Sequence, residues 1–428
     1  MADLGADIEA AHDLLAFVQE SPTPFHACVS AAARLDAVGF TRLDESSEWP
    51  EGPDQRHYLV RDGSLIAWTV PSPAVATTPF RIIGAHTDSP NLRIKPHPDV
   101  ERAGVQLLAA EVYGGALFNS WLDRDLGIAG RVALRGGALE LLKIDRPMAR
   151  IPQLAIHLDR EVNTKGLVLN PQQHLVPVWS TGSAEPDAFR RLLACELGVE
   201  ADDVLFWDVM FHDVEPGTLL GRDDEFISAP RLDNLASCWA AVHAISSNAR
   251  AVKEAIQVIV LFDHEEIGST TNRGAASSLL DTTLERITRG LGGDRDAWHR
   301  AVAGSICLSA DMAHATHPNY PERHEPGHWI ALGGGPVVKT NASQRYATDA
   351  RSAAVFIEAC DRAGVTLQHY VHRGDLPCGS TIGPITAARL GIATVDVGAP
   401  QLSMHSAREL MATDDAASYR AALTAFFT

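Results

Sequence analysis

AIQVIVLFDHEEIGS, residues 255–269, joins the most apolar run of the chain to a tight acidic cluster. Its first eight residues, Ala255 to Phe262, are that run, with Gln257 the one polar residue, and are rich in β-branched side chains, the signature of a buried strand. The acidic cluster Asp263 to Ser269 therefore sits where that strand leaves its sheet. In open α/β sheets ligands bind outside the carboxyl ends of the strands. Glu265 and Glu266 are adjacent and cannot both point the same way, which suits a division of labour: one binds a metal while its neighbour handles a proton. A solvated acidic turn fits the same residues, so the rest of the chain must decide.

The chain has 428 residues, enough for two or three domains and a large core. It is 46% hydrophobic and 21% charged, which excludes bulk disorder. With 54 acidic against 36 basic residues its formal charge is −18, which argues against nucleic acid and anionic membranes as partners. An acidic substrate would need a local basic residue to overcome that background. The first 20 residues lack the features of a signal peptide and read as an amphipathic helix, and no run of about 18 apolar residues exists to span a membrane. Cys28, Cys195, Cys238, Cys307, Cys360 and Cys378 form no CxxC pair. They read as reduced core residues, which points to the cytoplasm.

Towards the N-terminus, Ser21 to Cys28 carries two prolines that break the pattern before a second helix from about Val29 to Val38. His26 reads as a packing or capping residue. The strand Phe80 to Ala85 runs into His86 and Asp88, which project to the same side of an extended chain. That spacing lets one be a metal ligand while the other orients it. Residues 97–226 change texture to shorter strands, with a hairpin turn at Arg135 to Ala138, and read as an inserted domain between catalytic segments 1–96 and 227–428. Within it, Asn119 to Asp125 reads as an ion-paired surface turn and His157 as a strand histidine satisfied in the core. Pro230 precedes a helix with Asp233 at its start, either complementing the helix dipole or holding a metal. Further strands end near Asp311, with His314 and His317 following, and near Gly398, after which the chain reaches His405. A helix from about Ala275 to Gly290 and another from about Asp414 to Phe426 alternate with these strands.

His86, Glu265, Glu266, Asp311 and His405 thus each lie just past an apolar strand, with Asp233 at a helix start. Nitrogen and oxygen ligands without nearby cysteine suit two borderline divalent ions, zinc above all, with cobalt or manganese as substitutes. A pair of such ions with a neighbouring glutamate as base does the chemistry of amide hydrolysis. The fold expected is α/β, a mixed, largely parallel sheet with helices on both faces and an inserted β-rich domain. Gly333-Gly334-Gly335 lacks the spacing of a nucleotide-binding loop.

GAHTDSPNLRIKP (84–96), PRLDN (230–234), DHEEIGS (263–269), SADMAHATHPNY (309–320) and MHSARE (404–409) together resemble the motif set of the M18 aminopeptidases, the aspartyl aminopeptidase family. WLDRDL (121–126) and AIHLDR (155–160) extend the likeness through the insert. The resemblance implies His86, Asp233, Glu266, Asp311 and His405 as zinc ligands, Asp233 bridging two ions, Glu265 as general base and Asp88 orienting His86. It implies that Lys339 and Tyr346 line a pocket for an acidic side chain, and that His157 is lent to a neighbouring subunit by the insert, which serves as a dimerisation domain. It also implies a dodecamer built from dimers and peptide substrates with an acidic N-terminus. The competing readings are the same enzyme with a neutral, leucine-type preference, and a non-catalytic zinc-binding scaffold.

Overall fold

The computed structural model of the chain describes residues 4–247 and 254–428. It forms two compact units: Met1–Asp88, Gly217–Met404 and Glu409–Thr428 make the first, Ser89–Pro216 and His405–Arg408 the second.

The first unit is built on a nine-stranded sheet in the order Thr41–Arg42, Gln55–Arg61, Ser64–Val70, Ile256–Phe262, Phe80–His86, Ile306–Ala310, Ala393–Gly398, Val337–Thr340 and Gln368–Val371. Ile256–Phe262, from the apolar run before the acidic cluster, is the fourth of these, and all seven of its residues are buried. It lies parallel to Phe80–His86, which is followed by parallel Ile306–Ala310 and Ala393–Gly398. Antiparallel neighbours Ser64–Val70 and Val337–Thr340 flank that central group, so the sheet is mixed and largely parallel. Because side chains alternate along a strand, Ile259 and Leu261 enter one core with the helices Leu4–Glu20, Leu232–Ser247 and Thr413–Phe426. Val258, Val260 and Phe262 enter another core, with Leu279–Gly290 and Arg295–Ala303. Helices therefore cover both faces, as a continuous apolar strand requires.

Register then aligns the exits. Phe262 pairs with His86 and Ala310 with Val397, so parallel strands end at one edge. Asp311 lies close against that edge: a Cβ on Gly398 would come 2.0 Å from its carbonyl oxygen.

The second unit is a six-stranded antiparallel sheet, ordered Leu139–Ala149, Leu126–Leu134, Val204–Asp213, Asn91–Arg102, Val105–Tyr113 and Val178–Thr181. It has its own core, which includes Leu92, Ile128, Val132, Phe189 and Phe211. Gly136 and Gly137, at φ 92° and 93°, make the tight turn expected between its first two strands. Its limits differ from 97 and 226 because Asn91–Arg102 is one continuous strand that cannot be cut at residue 96, and because Thr218–Leu220 pairs with Phe226–Ala229 in the first unit.

Three local expectations are corrected. The second helix runs Pro24–Ala37 rather than from Val29, since a proline is tolerated in the first helical turn and the Thr23 side chain caps the amide of His26. His157 lies on no strand; it is exposed in a turn closed by the Leu158 amide on the Ala155 carbonyl. Of the cysteines, Cys195 is exposed and Cys378 half-buried, while the other four are buried and all six are free thiols. The 119–125 segment is an ion-paired turn, with Arg124 3.1 Å from Asp213 and Arg150 3.0 Å from Asp125. Residues 1–3 of the first helical stretch fall outside the described residues, and the helix is seen from Leu4. Among the described residues no helix is long and apolar enough to cross a membrane.

Candidate metal centre

His86 is the last residue of its strand and is buried. Its Nδ1 lies 2.9 Å from the Asp88 carbonyl oxygen. A carbonyl can only accept, so Nδ1 carries the proton and Nε2 is turned the other way. Nε2 lies 3.5 Å from an oxygen of Asp233 and 3.6 Å from one of Asp311. Ligand atoms of His86, Asp233 and Asp311 all fall within 4.8 Å of one another, and so do those of His86, Glu265 and Glu266. Two metal-competent groups therefore share one imidazole.

The backbone that delivers each group is held from behind. Asp88 is fully buried, and its two carboxylate oxygens accept the amides of Glu265 and Glu266, each at 3.1 Å. They cap the short 3-10 turn Glu265–Ile267, whose entry residue His264 has φ 64°. The Asp88 carboxylate is 3.5 Å from His86 Nδ1, so its own carbonyl is the closer partner. Asp263 accepts the His264 amide at 2.8 Å and meets Arg273 at 3.3 Å, while His264 Nδ1 contacts the Thr271 hydroxyl at 2.9 Å. Asp263 and His264 thus shape the turn. Asp233 sits at a break in its helix, followed by a cis peptide to Asn234. Its amide donates to the buried Glu409 at 2.9 Å, and Asn234 donates to the Ala310 carbonyl at 2.8 Å. Glu409 was missed from the sequence, because its partner lies 176 residues away and no local pattern signals the pairing.

Electrostatics fit a cation. Burial works against a charge on His86, but Asp233, Asp311 and Asp88 outweigh it and raise its pKa well above 6.5. Burial among Asp311, Asp88 and Asp233 pushes the Glu265 carboxyl up to about 8, although His86 opposes the shift. Carboxylates crowded round one imidazole repel one another unless positive charge sits among them. The donors are one nitrogen and several oxygens, a set that suits zinc. No thiolate competes: burial pushes the Cys238 thiol up to about 12, and its Sγ donates to the His86 carbonyl at 2.9 Å.

The remaining expected residues fall as follows. Lys339 is buried and donates to the carbonyls of Asp311 at 2.9 Å and Met312 at 3.2 Å, with its ammonium 5.2 Å from the Tyr346 ring centre. His314 and His317 join no metal-competent group among the described residues; the His317 Nδ1 accepts the Asn319 amide. His405 belongs to the second unit, where it has φ 67° and its Nδ1 lies 3.1 Å from the Gly115 carbonyl. His157 lies in that unit as well.

A sheet edge that gathers a buried histidine, two buried aspartates and two half-buried glutamates within ligand distance is a donor set of the kind that metal-dependent hydrolases of the zinc-peptidase type use. The model of the M18 peptidases, described as aminopeptidase I zinc metalloproteases, matches residues 17–427. A Mycobacterium leprae protein named Probable M18 family aminopeptidase 2 is 51% identical over 425 residues, covering 98% of each chain. A Streptomyces coelicolor protein of the same name is 50% identical over 417 residues, covering 97% of this chain and 96% of that one. Among solved structures, the Ape4 and Nbr1 complex matches with a TM-score of 0.96 at 35% identity, over 100% of this chain and 87% of that one. The S. cerevisiae mApe1 dodecamer matches with a TM-score of 0.84 at 29% identity, over 99% and 97%. The chain belongs to the M18 family of zinc metallo-aminopeptidases.

Proposed function

We propose that this chain is a dinuclear zinc aminopeptidase that releases N-terminal aspartate or glutamate from peptides. The observation that supports the reading is the crowd of carboxylates round His86 at one sheet edge, Asp233, Glu265, Glu266 and Asp311, which together with its Nε2 offer more donors than one tetrahedral zinc takes up. In this reading His86, Asp233, Glu266, Asp311 and His405 would hold two zinc ions, with Asp233 as the shared ligand and cobalt or manganese as possible substitutes. When bound, zinc polarises the scissile carbonyl and stabilises the negative charge that develops on it. Glu265 takes the proton of the attacking water and returns it to the leaving amine. Its position on a turn capped by both oxygens of Asp88 supports that role, since a base must be held within hydrogen-bond reach of the proton it moves. Asp88 also orients His86.

Lys339 and Tyr346 supply the pocket for the acidic side chain: a buried ammonium beside a phenol ring is an attractive partner for a carboxylate in a chain of charge −18. The first unit is the catalytic part, and the second, which takes in most of residues 97–226, is the dimerisation insert. His157, exposed on its turn, is available for a neighbouring subunit. A dodecamer built from dimers is the assembly proposed, in line with the mApe1 dodecamer among its structural neighbours.

A neutral, leucine-type preference is favoured by one observation: two of the three Lys339 donors already serve main-chain carbonyls. Titrating metal into the apo-protein while measuring release of aspartate and leucine from matched peptides separates the two. The acidic reading expects aspartate to be preferred and Lys339→Ala to erase that preference. Leucine preferred, with Lys339→Ala without effect, would overturn it.

A further inference from the structure

Lys339 carries one positive charge, most of whose hydrogen-bonding capacity is turned inward. The next cation along the chain is of another kind. Arg345 is exposed, one residue before Tyr346, and its Nε donates to the carbonyls of Cys378 at 3.2 Å and Gly379 at 3.4 Å. Among the described residues Nε is its only guanidinium donor with a protein partner, and it makes no ion pair. Nearby arginines differ: Arg373 pairs with Asp375 at 2.7 Å and Arg323 with Glu322 at 4.0 Å. Arg345 is therefore an unneutralised guanidinium on a chain with an 18-charge acidic excess.

Its surroundings tie it to the Lys339 pocket. The carbonyl that Arg345 holds belongs to Cys378, whose thiol packs against the small apolar cluster that contains Tyr346. Arg345 and Lys339 both act electrostatically on that thiol, and the Lys339 ammonium faces the Tyr346 ring. Tyr346, Tyr370, Ala313 and Ile330 pack in one small apolar cluster, with Cys378 against it. The order from the Asp311 carbonyl outward is thus Lys339, Tyr346, Cys378, Arg345. A guanidinium anchored through Nε is held in place while its terminal nitrogens keep the fork geometry that matches a carboxylate.

We propose that Arg345 is a specificity-determining residue, a second cation that recognises the acidic side chain of the substrate at the outer end of the Lys339 and Tyr346 pocket. This rests on the acidic reading above. Lys339 fixes the inner wall and Arg345 supplies an outward-facing charge that draws carboxylate substrates in.

The test compares wild type, Arg345→Met and Arg345→Lys, each with zinc bound, on matched aspartyl and leucyl peptides at low and high salt. Arg345→Met is expected to lower the aspartyl-to-leucyl ratio of kcat/KM about tenfold, mainly through the aspartyl KM. It should also flatten the salt dependence of that KM, because an exposed charge is screened by salt. Arg345→Lys, which keeps the charge, should recover part of the ratio. A wild type that prefers leucine overturns the acidic reading and this inference with it. A wild type that prefers aspartate, with the Arg345→Met ratio within twofold of it, overturns the inference alone. Equal losses in both variants would do the same, since they would assign Arg345 to anchoring the 378–379 turn rather than to charge recognition.

Discussion

Replacing Asp88 by asparagine tests how the proton-handling turn is held. The substitution keeps the shape of the side chain but exchanges one carboxylate oxygen for an NH2. In the structure both oxygens accept a main-chain amide at 3.1 Å, so that NH2 must face an N–H. A charge-assisted hydrogen bond contributes about 1.5–3 kcal/mol, and leaving a buried donor unsatisfied costs about 1–3 kcal/mol. One bond is lost, one becomes neutral and one amide is stranded, which gives roughly 3 kcal/mol. For a unit larger than 200 residues a change of 1 kcal/mol moves the melting temperature by about 2 °C, so Asp88→Asn should melt roughly 6 °C lower. Turnover should fall further than stability explains, because the turn places both Glu265 and Glu266. Thermal melts followed by circular dichroism, metal content and kcat on one preparation read all three quantities. A variant that melts within about 1 °C of wild type with kcat intact would refute the assignment of Asp88 as the clamp of this turn.

Other outcomes follow from the same geometry. Glu265→Gln should retain bound metal and lose about a thousandfold in kcat, the scale of a lost general base, whereas Glu266→Ala should lose metal from one site; metal analysis showing the reverse would exchange the two roles. Asp415, in the first turn of the helix Thr413–Phe426, offers a pH test through its hold on the glycine loop before Val337–Thr340. Burial pushes its carboxyl up to about 7, against the pull of the Gly333 and Gly335 amides that it accepts at 2.7 and 2.9 Å. A raised acid pKa contributes stability that is full below the unfolded value of 3.8 and lost as pH rises through the folded value of about 7. The stability advantage of wild type over Asp415→Asn should therefore shrink between pH 5 and pH 8, by a few kcal/mol at most; an advantage independent of pH would refute this.

The large strands of the first unit were legible because they are buried on both faces. Ile256–Phe262, Phe80–His86 and Ala393–Gly398 read as short, largely apolar runs, broken only by single polar residues such as Gln257, Arg81 and Asp396, and need no partner to be recognised. The acidic and imidazole groups that end them could be found from those runs. What could not be read is whatever depends on residues distant in sequence. The pairing of Glu409 with the Asp233 amide, the left-handed backbone of His264 and the inward use of the Lys339 ammonium have no local signal. His157 was misread for a related reason. Its apolar neighbours Ile156 and Leu158 suggest a buried strand, yet both are exposed.

Register has a further consequence for the order in which this protein can be made. His86, Asp233 and Asp311 lie on separate segments spread over more than half the chain, and they meet only because parallel strands end at one edge. A ribosome that has released residues up to the strand Ile256–Phe262 has delivered His86 and Asp233 but not Asp311. No nascent fragment that stops short of Asp311 can hold the group of His86, Asp233 and Asp311, so a metal there cannot guide the earlier strands and can only lock a sheet whose central strands are already made.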